Sequence, residues 1–481
     1  MADGLLLITT NDMHSHAEAY AALVTGVREY VASHGALPVI KADAGDWFSG
    51  TVYSSLAPNS NRAFPPVELD FFLANDVVFC LGNHEFDAQE AGLETMLAKA
   101  AARGLVLGVQ SDLTEPAETR LASRRLFSSR LDERRVLNRA LLQHVDGYGT
   151  VGFVGLMGPG ARKGIAALDA WSFLSWSDAL ARARNLVAGL RAQGARLVIA
   201  LLHGSGAEAS ELWGKTACDF VACGHTHERI VPTTQAPFVQ AGCYARAFGA
   251  TVIAAGGHVR EACVVNVKAP PTEPHPALHA IVRPLFARAW GVDMDARVRL
   301  PAALRVPVVR SRGCPFASAL LSLAVDELNR ERASSTSSDA RIIQGMFLPN
   351  ELVRGDFALL PDGLCGFEDV VGAVEVGQSD PDRFGMDLVV IATRGWRVRV
   401  LDGLFSLATA LYTPDAAPAY SHACLEAPLA ATVRVVTTSF TLQTLRPIPA
   451  FVFPFEVVET IRVPLSILVW RALQRVPAAC L

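Results

Sequence analysis

Short apolar runs alternate with segments of helical periodicity between residue 5 and about residue 265. Residues 5–8 form the first run of strand length, and apolar side chains then recur every three or four positions over 21–33. The alternation continues, with strand candidates at 39–40, 77–81, 151–156 and 197–202 and helix candidates at 88–103 and 177–193. Strands that alternate with helices predict a layered α/β domain with a largely parallel or mixed sheet.

The alternating pattern stops near Lys268. The segment APPTEPHP at 269–276 contains four prolines, which disfavour regular secondary structure and indicate a linker. Beyond it, 316–330 has helical periodicity, and the end of the chain is rich in Val, Leu, Thr and Pro and favours strands. We therefore expect a layered sandwich domain at 1–268, a linker at 269–305 and a smaller α/β domain at 306–481.

Composition excludes several classes of function. Of the 481 residues, 51% are hydrophobic and 19% are charged, which indicates large buried cores rather than a disordered chain. The net charge of -4 and the lack of a Lys/Arg run argue against a nucleic-acid partner. No uninterrupted apolar run reaches the length of a membrane span, so no membrane partner is expected.

The nine cysteines are scattered and include no Cys-x-x-Cys pair. This distribution favours reduced, buried thiols over a disulfide framework or a thiolate zinc site. The beginning of the sequence lacks the basic lead and the long apolar stretch of a secretory signal, because the apolar run at 5–8 is short. Together these features predict a cytoplasmic protein.

Five of the apolar runs end in residue types that bind metals. The clusters are Asp12-Met13-His14, Asp43-Ala44-Gly45-Asp46, Gly82-Asn83-His84-Glu85, His203-Gly204 and Gly224-His225-Thr226-His227. Each cluster alone is typical of an ordinary turn or of solvated histidines, but together they contain five of the 12 histidines in the chain. Because the loops at the carboxyl ends of the strands in an open α/β sheet line one crevice, we expect the five clusters to meet.

The donor types indicate which metals would suit such a crevice. Imidazole, carboxylate and one amide without a thiolate suit Mn, Fe, Zn or similar divalent ions. Seven candidate ligands are too many for one tetrahedral ion, and they fit two ions that share a bridging carboxylate, about 3.5–4 Å apart. Such a pair acidifies a shared water and holds a phosphoryl oxygen, so the predicted reaction is hydrolysis of a phosphate ester.

These motifs resemble the calcineurin-like metallophosphoesterase superfamily. Within it, the segments TNDMHSH (10–16), DAGDWFSGT (43–51), GNHEFD (82–87) and QAGCYARAFG (240–249) resemble the branch of 5'-nucleotidases, UDP-sugar hydrolases and cyclic phosphodiesterases. The resemblance extends over residues 5–255. It implies a metallophosphoesterase sandwich domain followed by a diverged 5'-nucleotidase-like domain.

The resemblance also implies roles for individual residues. One metal would be held by Asp12, His14, Asp46 and His227. The other would be held by Asp46, Asn83, His203 and His225, with Asp46 as the bridge. His84 would lie beside the scissile phosphate, stabilise charge and protonate the leaving oxygen, and Asp87 would orient it. Asp87 also stands before the helix candidate at 88–103, with Glu90 three residues on, which predicts a helix cap as a compatible second role.

Residues in the predicted second domain depart from the family pattern. Arg354 is a candidate substrate contact, although an arginine at this position is also typical of an ordinary surface. Phe347 and Phe367 are expected in the core rather than as platforms for a base. The sequence thus predicts a phosphohydrolase for a nucleotide or a related small phosphate ester. A phosphodiesterase or pyrophosphohydrolase for cyclic nucleotides or nucleotide sugars, and a non-catalytic binding protein, are the alternatives.

Overall fold

The structure is a computed structural model. It describes residues 4–35, 37–55, 66–114, 126–130, 133–165, 168, 171–233, 237–254, 257–268, 275–305, 315–334, 342–349, 357, 360, 363–374, 384–398, 418–420, 431–439, 441–442 and 455–476. The chain divides into two compact units. The first is formed by 1–49 and 53–279, and the second by 50–52 and 280–481.

The first unit alternates strands and helices as the apolar pattern predicts. Its strands β1 to β14 are, in chain order, Gly4–Thr10, Val39–Asp43, Val77–Phe79, Gly108–Val109, Phe127–Ser128, Leu137–Asn138, Leu141–Val145, Gly149–Met157, Leu197–His203, Phe220–Gly224, Arg229–Ile230, Phe238–Ala241, Ala247–Ala254 and Val259–Asn266. Its helices α1 to α6 are Tyr20–Ser33, Val67–Asn75, Gln89–Ala102, Pro159–Arg162, Trp176–Ala192 and Gly206–Thr216. A short 3₁₀ turn at His84–Ala88 precedes α3.

The strands form two sheets with parallel centres. The first sheet has the order β14–β13–β1–β2–β3–β4–β6–β5, and the second has the order β11–β12–β10–β9–β8–β7. Strands β1 to β4 pair in parallel, as do β8, β9 and β10, whereas β13, β14, β7 and β11 pair antiparallel. Parallel pairing brings the carboxyl ends of the central strands to one edge of each sheet.

Burial explains why the central strands read as continuous apolar runs. Every residue of β1 and of β9 is buried, as expected for strands covered on both faces. Helices α5 and α6 pack on the second sheet and enclose a core whose members range along the chain from Ala140 to Cys223. The two sheets approach closely where Gly155 of β8 meets β4, and the Ser111 N–H donates to the Gly155 carbonyl at 2.6 Å.

The second unit is a smaller α/β assembly, in agreement with the predicted fold class. Its strands β15 to β21 are Arg297–Arg299, Gly345–Pro349, Leu364–Gly366, Leu388–Arg394, Pro418–Tyr420, Thr432–Thr438 and Glu456–Ile461. Helix α7 (Pro276–Trp290) contains the boundary between the units, and α8 (Pro315–Ala333), α9 (Phe367–Val374) and α10 (Leu465–Gln474) follow. Five strands form one sheet in the order β19–β16–β20–β18–β21, and β15 pairs with β17.

Two features of this half differ from the sequence-based expectation. The described part of the segment expected as a linker, 275–305, contains α7 and β15. Pro276 does not prevent the helix, because it is the first helical residue, where its missing N–H costs nothing. The end of the chain contains α10 as well as strands, and every residue from Leu465 to Trp470 in this helix is buried. Phe347 and Phe367 lie in the core, as expected.

Arg354 lies outside the described residues. Among the helices that the structure describes, none is both long enough and apolar enough to cross a membrane.

We predict that Gly155→Ala destabilises the first unit by roughly 1–3 kcal/mol, because the added methyl group would lie 2.2 Å from the Val109 carbonyl oxygen. Gly189→Ala on α5 is the matched control. A methyl group there meets no atom within 4 Å, so the substitution should stabilise the helix by roughly 0.5–1 kcal/mol. Urea unfolding monitored by circular dichroism measures both, and equal midpoints would contradict the assigned contact.

Candidate metal centre

The predicted ligands follow the carboxyl ends of central strands in both sheets. Asp12 lies two residues after β1 and Asp46 three residues after β2, and these two loops are hydrogen-bonded to each other. The Asp12 N–H donates to the Gly45 carbonyl at 2.9 Å, and the His14 N–H donates to the Asp46 carbonyl at 3.0 Å. The parallel pairing of β1 and β2 thus places both carboxylates at one edge.

Five of the predicted ligands have left-handed backbone conformations, which are uncommon for residues other than glycine. Their φ angles are 51° for Asp12, 48° for His14, 56° for Asp46, 88° for His225 and 58° for His227. Each such residue costs on the order of 1–3 kcal/mol, and conformations of this kind concentrate at functional sites. The strained backbone of these loops therefore points the ligand side chains in directions that an unstrained loop would not give them.

Asp12, His14 and His227 form the first cluster. One ligand atom from each lies within 4.8 Å of the others. The Nε2 atoms of His14 and His227 are 3.1 Å apart, and His227 Nε2 is 3.5 Å from Asp12 Oδ1. Two imidazole nitrogens and one carboxylate oxygen that converge in this way form half of an octahedral coordination shell or most of a tetrahedral one.

Asp46, His203 and His225 form the second cluster, whose ligand atoms also lie within 4.8 Å of one another. His203 Nε2 is 3.1 Å from Asp46 Oδ2. The Asn83 side chain joins this cluster, because its Oδ1 lies 3.2 Å from the same imidazole nitrogen. All four residues predicted for the second ion are therefore brought together.

Asp46 lies between the two clusters. Its Oδ2 is 3.1 Å from His203 Nε2, 4.0 Å from His14 Nε2 and 3.9 Å from His84 Nε2. Burial raises the pKa of this carboxyl, but the imidazoles of His203, His84 and His14 outweigh burial and hold the pKa well below its usual range. A fully buried carboxylate that stays ionised between two ligand groups has the position expected of a bridge.

His84 and Asp87 form a pair at the edge of this cluster. The His84 Nδ1 lies 2.6 Å from Asp87 Oδ2, and the opposite nitrogen, Nε2, faces Asp46. The cap role expected for Asp87 is not present, because α3 begins two residues later, after the 3₁₀ turn. Its N-cap is Ala88, without a side-chain hydrogen bond. Asp87 therefore acts on His84 rather than on the helix.

Glu85, which follows His84 in the third cluster, supports the loops from within. Its fully buried carboxylate accepts hydrogen bonds from the backbone N–H groups of Asp46 (3.1 Å), Phe48 (2.9 Å) and Gly82. Three donors that converge on one carboxylate tie the loop after β2 to the loop after β3. The bridge residue and the Asn83 loop thus share one anchor.

Asn11 is a supporting residue that sequence reasoning missed. Its Nδ2 donates to Asp12 Oδ2 and to the Gly242 carbonyl, each at 2.6 Å, and its Oδ1 accepts from the Ala241 N–H at 2.8 Å. It therefore connects the Asp12 loop to the segment 240–249. Its place inside the quoted motif TNDMHSH was the available signal, but the chemistry of an amide does not distinguish a ligand from a support.

The second ring nitrogen is also fixed in two of the ligand histidines. His203 Nδ1 lies 2.9 Å from the Ala44 carbonyl, and His14 Nδ1 lies 3.1 Å from the Ser49 carbonyl. A carbonyl at Nδ1 selects the tautomer in which Nε2 carries the lone pair. His16, which sequence reasoning left outside the ligand set, pairs with Glu18 at 2.6 Å.

The donor atoms of the two clusters are of the types that bind divalent cations. The set consists of imidazole, carboxylate and amide atoms, Asp46 lies within 4.0 Å of an imidazole of each group, and the carbonyls at Nδ1 of His14 and His203 leave the Nε2 atom of each ring directed inward. No thiolate takes part in either group. The residues therefore form a site that can hold metal ions through nitrogen and oxygen ligands.

The first unit is a two-sheet α/β sandwich that carries both ligand clusters, and a second α/β unit follows it. No protein-family model and no curated protein matches the chain. Solved structures do match. The 5'-nucleotidase precursor from Thermus thermophilus has a TM-score of 0.69 at 18% identity, covering 98% of this chain and 96% of that chain.

Two further structures resemble the whole chain. The 5'-nucleotidase from Candida albicans has a TM-score of 0.63 at 12% identity, with 98% of each chain covered. The sulfate thiohydrolase SoxB from Thermus thermophilus has a TM-score of 0.62 at 13% identity, covering 99% of this chain and 94% of that chain. At these identities the likeness establishes the fold, which is the one that the motif resemblance implied.

The imidazoles of the site differ in charge in the metal-free protein. Burial lowers the pKa of His203 and of His227, but the carboxylates beside them outweigh it. Asp46 raises the pKa of His203 to about 10, and Asp12 raises that of His227 to about 9. Burial and the neighbouring His203 lower the pKa of His225 to about 4. Near pH 8, His203 and His227 are therefore protonated and His225 is neutral.

We predict that binding of Mn²⁺ at pH 8 releases about two protons, because metals bind neutral imidazole and two of the ligand histidines must first lose a proton. The raised pKa values set the sign: affinity should increase as pH rises toward about 9, because protons then compete less well. Isothermal titration calorimetry in buffers of different ionisation enthalpy measures the count. Release near zero at the same pH would contradict the assigned charge states.

Proposed function

We propose that the protein is a divalent-metal-dependent phosphohydrolase that cleaves a nucleotide or another small phosphate ester. The observation that carries the proposal is the position of Asp46 between two ligand clusters with the imidazole of His84 facing it. The two ions would be held by Asp12, His14, Asp46 and His227 and by Asp46, Asn83, His203 and His225. The metals, Mn, Zn, Fe or similar, would supply an acidified water and charge neutralisation at the phosphoryl oxygens.

The protein's own residues orient and stabilise the reacting groups. Asp87 accepts the Nδ1 proton of His84, which fixes the tautomer and leaves Nε2 directed into the site. When the ring also carries a proton on Nε2, that N–H can donate a hydrogen bond to a developing negative charge and give its proton to the leaving oxygen. The backbone N–H of His84 also donates to Asp46 Oδ1 at 2.9 Å, which holds the His84 backbone next to the Asp46 carboxylate.

The proposed substrate class comes from the fold rather than from the metal site. Two of the structures with this fold are named 5'-nucleotidases, which favours a nucleotide, but a thiohydrolase shares the fold, and fold alone does not define chemistry. Phe347 and Phe367 are buried and therefore unsuited to stacking on a base. The cytoplasmic location, the absence of nucleic-acid and membrane partners and the substrate role of Arg354 stay predictions.

We predict that Asp46→Asn lowers hydrolysis of an aryl phosphate at least about 100-fold and also lowers bound metal, because the neutral amide lacks the negative charge that a bridging carboxylate would share between two cations. His84→Gln should lower the rate by roughly 10²–10⁴-fold while the metal content stays that of the wild type. Phosphate release and elemental analysis of the same samples measure both effects.

The contrast between the two variants is the control. If Asp46→Asn hydrolysed the aryl phosphate as fast as the wild type, the bridging role would be wrong. If His84→Gln lost metal as well as rate, His84 would be a ligand rather than an acid. A wild-type protein that binds metal but hydrolyses no substrate in a broad panel would favour the non-catalytic binding protein.

We predict that the wild-type enzyme releases phosphate from AMP faster than it cleaves 2',3'-cyclic AMP, UDP-glucose or an aryl diester. The site itself does not distinguish these substrates, because each requires only the ions and an imidazole, so the expectation follows from the nucleotidase-like fold. Rates at equal substrate concentration, with Mn, Zn, Fe and Mg in turn, provide the comparison. A faster rate with the diesters or with UDP-glucose would favour the phosphodiesterase alternative.

A further inference from the structure

Tyr244 packs against the first cluster without being a ligand. Its ring centroid is 5.6 Å from that of His14 and 5.4 Å from that of His227, the two imidazoles of this cluster. It also lies 4.7 Å from the ring of His16. These separations are those of packed aromatic pairs, in which each ring restricts the orientation of the other. A single side chain thus limits rotation of both imidazoles.

The backbone holds this ring in place at a cost. Tyr244 and Ala245 have φ angles of 62° and 53°, two consecutive left-handed residues without glycine. The Tyr244 N–H donates to the Asp12 carbonyl at 2.7 Å, and the Arg246 guanidinium lies 5.6 Å from the ring centroid. The strained turn is therefore tied to the backbone of the third residue of the cluster, Asp12.

Glu208 has a corresponding position beside the second cluster. Its Oε2 accepts from the Ser205 N–H at 2.7 Å, two residues after the ligand His203, and its Oε1 accepts from the Gly160 N–H at 3.0 Å. The Gly158 N–H donates to the His203 carbonyl at 2.7 Å. One carboxylate therefore fastens the turn at 158–164 to the loop that carries His203.

That turn lies against the remaining residues of the second cluster. A methyl group at Gly164 would be 3.1 Å from Asn83 Nδ2, and one at Gly160 would be 4.0 Å from His225 Nε2. A methyl group at Gly158 would lie 2.4 Å from Glu208 Oε2, so glycine there lets the carboxylate reach the turn. Asn83 and His225 are thus bounded by a segment whose position depends on Glu208.

We infer that Tyr244 and Glu208 are positioning residues, each of which supports the metal affinity of one cluster: Tyr244 that of Asp12, His14 and His227, and Glu208 that of Asn83, His203 and His225. The inference rests on the proposed metal pair. Its physical basis is that ligands held in one orientation lose less freedom when an ion binds, and loss of such supports lowers metal affinity by about 10–100-fold.

Two background variants separate the clusters. His225→Ala disables the second cluster and leaves the first as the stronger site, whereas His227→Ala does the reverse. In the first background, Tyr244→Ala should weaken binding of Mn²⁺ by about 10–100-fold and Glu208→Ala should leave it unchanged. In the His227→Ala background, Glu208→Ala should weaken binding of Mn²⁺ by about 10–100-fold and Tyr244→Ala should leave it unchanged. Electron paramagnetic resonance measures free Mn²⁺ during the titration and does not depend on turnover.

Matched controls distinguish positioning from general destabilisation. Tyr244→Phe keeps the ring. Ser205→Ala removes the side-chain cap of α6 and the hydroxyl bond to Glu208 Oε2, but it leaves the bonds that the Ser205 and Gly160 N–H groups donate to Glu208, so each control should retain the affinity of its background. Tyr244→Leu and Glu208→Gln serve if an alanine variant does not fold. Each should weaken the same cluster, because neither restores the aromatic contact or both acceptor oxygens.

The results have separate consequences. Exchange of the two effects between the backgrounds supports the inference. Equal weakening in both backgrounds, no weakening in either, or weakening by the Phe and Ser205 controls overturns it while leaving the metal pair intact. A wild-type protein that binds fewer than two Mn²⁺ ions, by contrast, overturns the proposed dinuclear function and the inference with it.

Discussion

The arrangement of this site depends on keeping one buried carboxylate ionised. Burial of an isolated charge is costly, and Asp46 is compensated by imidazoles on both sides and by the His84 N–H at 2.9 Å. The same interaction raises the pKa of His203, so the charge of Asp46 and the charge of His203 depend on each other. The loops must converge on this carboxylate, because a displaced loop would leave the charge without its partners.

Convergence requires backbones that approach more closely than side chains permit. A methyl group at Gly82 would lie 2.2 Å from Asp46 Oδ1, and one at Gly224 would lie 2.9 Å from the Ala44 carbonyl oxygen. Glycine is therefore required beside the ligands, while the ligands themselves occupy left-handed conformations that glycine would adopt more easily. The parallel strands beneath, fully buried in β1 and β9, provide the rigid base that maintains this strain.

Sequence reasoning predicts the parts of this arrangement that have local signals. Apolar runs mark the central strands, and ligand-type residues after them mark the edge at which they converge. Position therefore finds the clusters that contain Asp12, Asp46 and His203, and the family resemblance selects the ligands within them. Roles that depend on tertiary contacts have no such signal. The pattern Asp87-x-x-Glu90 predicts a helix cap, but a 3₁₀ turn delays the helix, and Asp87 contacts His84 instead. Proline likewise indicates a linker, where Pro276 begins a helix.

The residues that sequence reasoning missed share one property: they act through other residues. Asn11, Tyr244 and Glu208 contact ligands, ligand backbones or the turn that bounds them, and none has a residue type or spacing that distinguishes it from an ordinary surface or cap residue. Glu208 forms a capping box with Ser205, which alone would explain it. Only the additional bond to Gly160 connects that cap to the second cluster. Ligand identity is therefore local information in this fold, whereas ligand orientation is distributed over segments far apart in the chain.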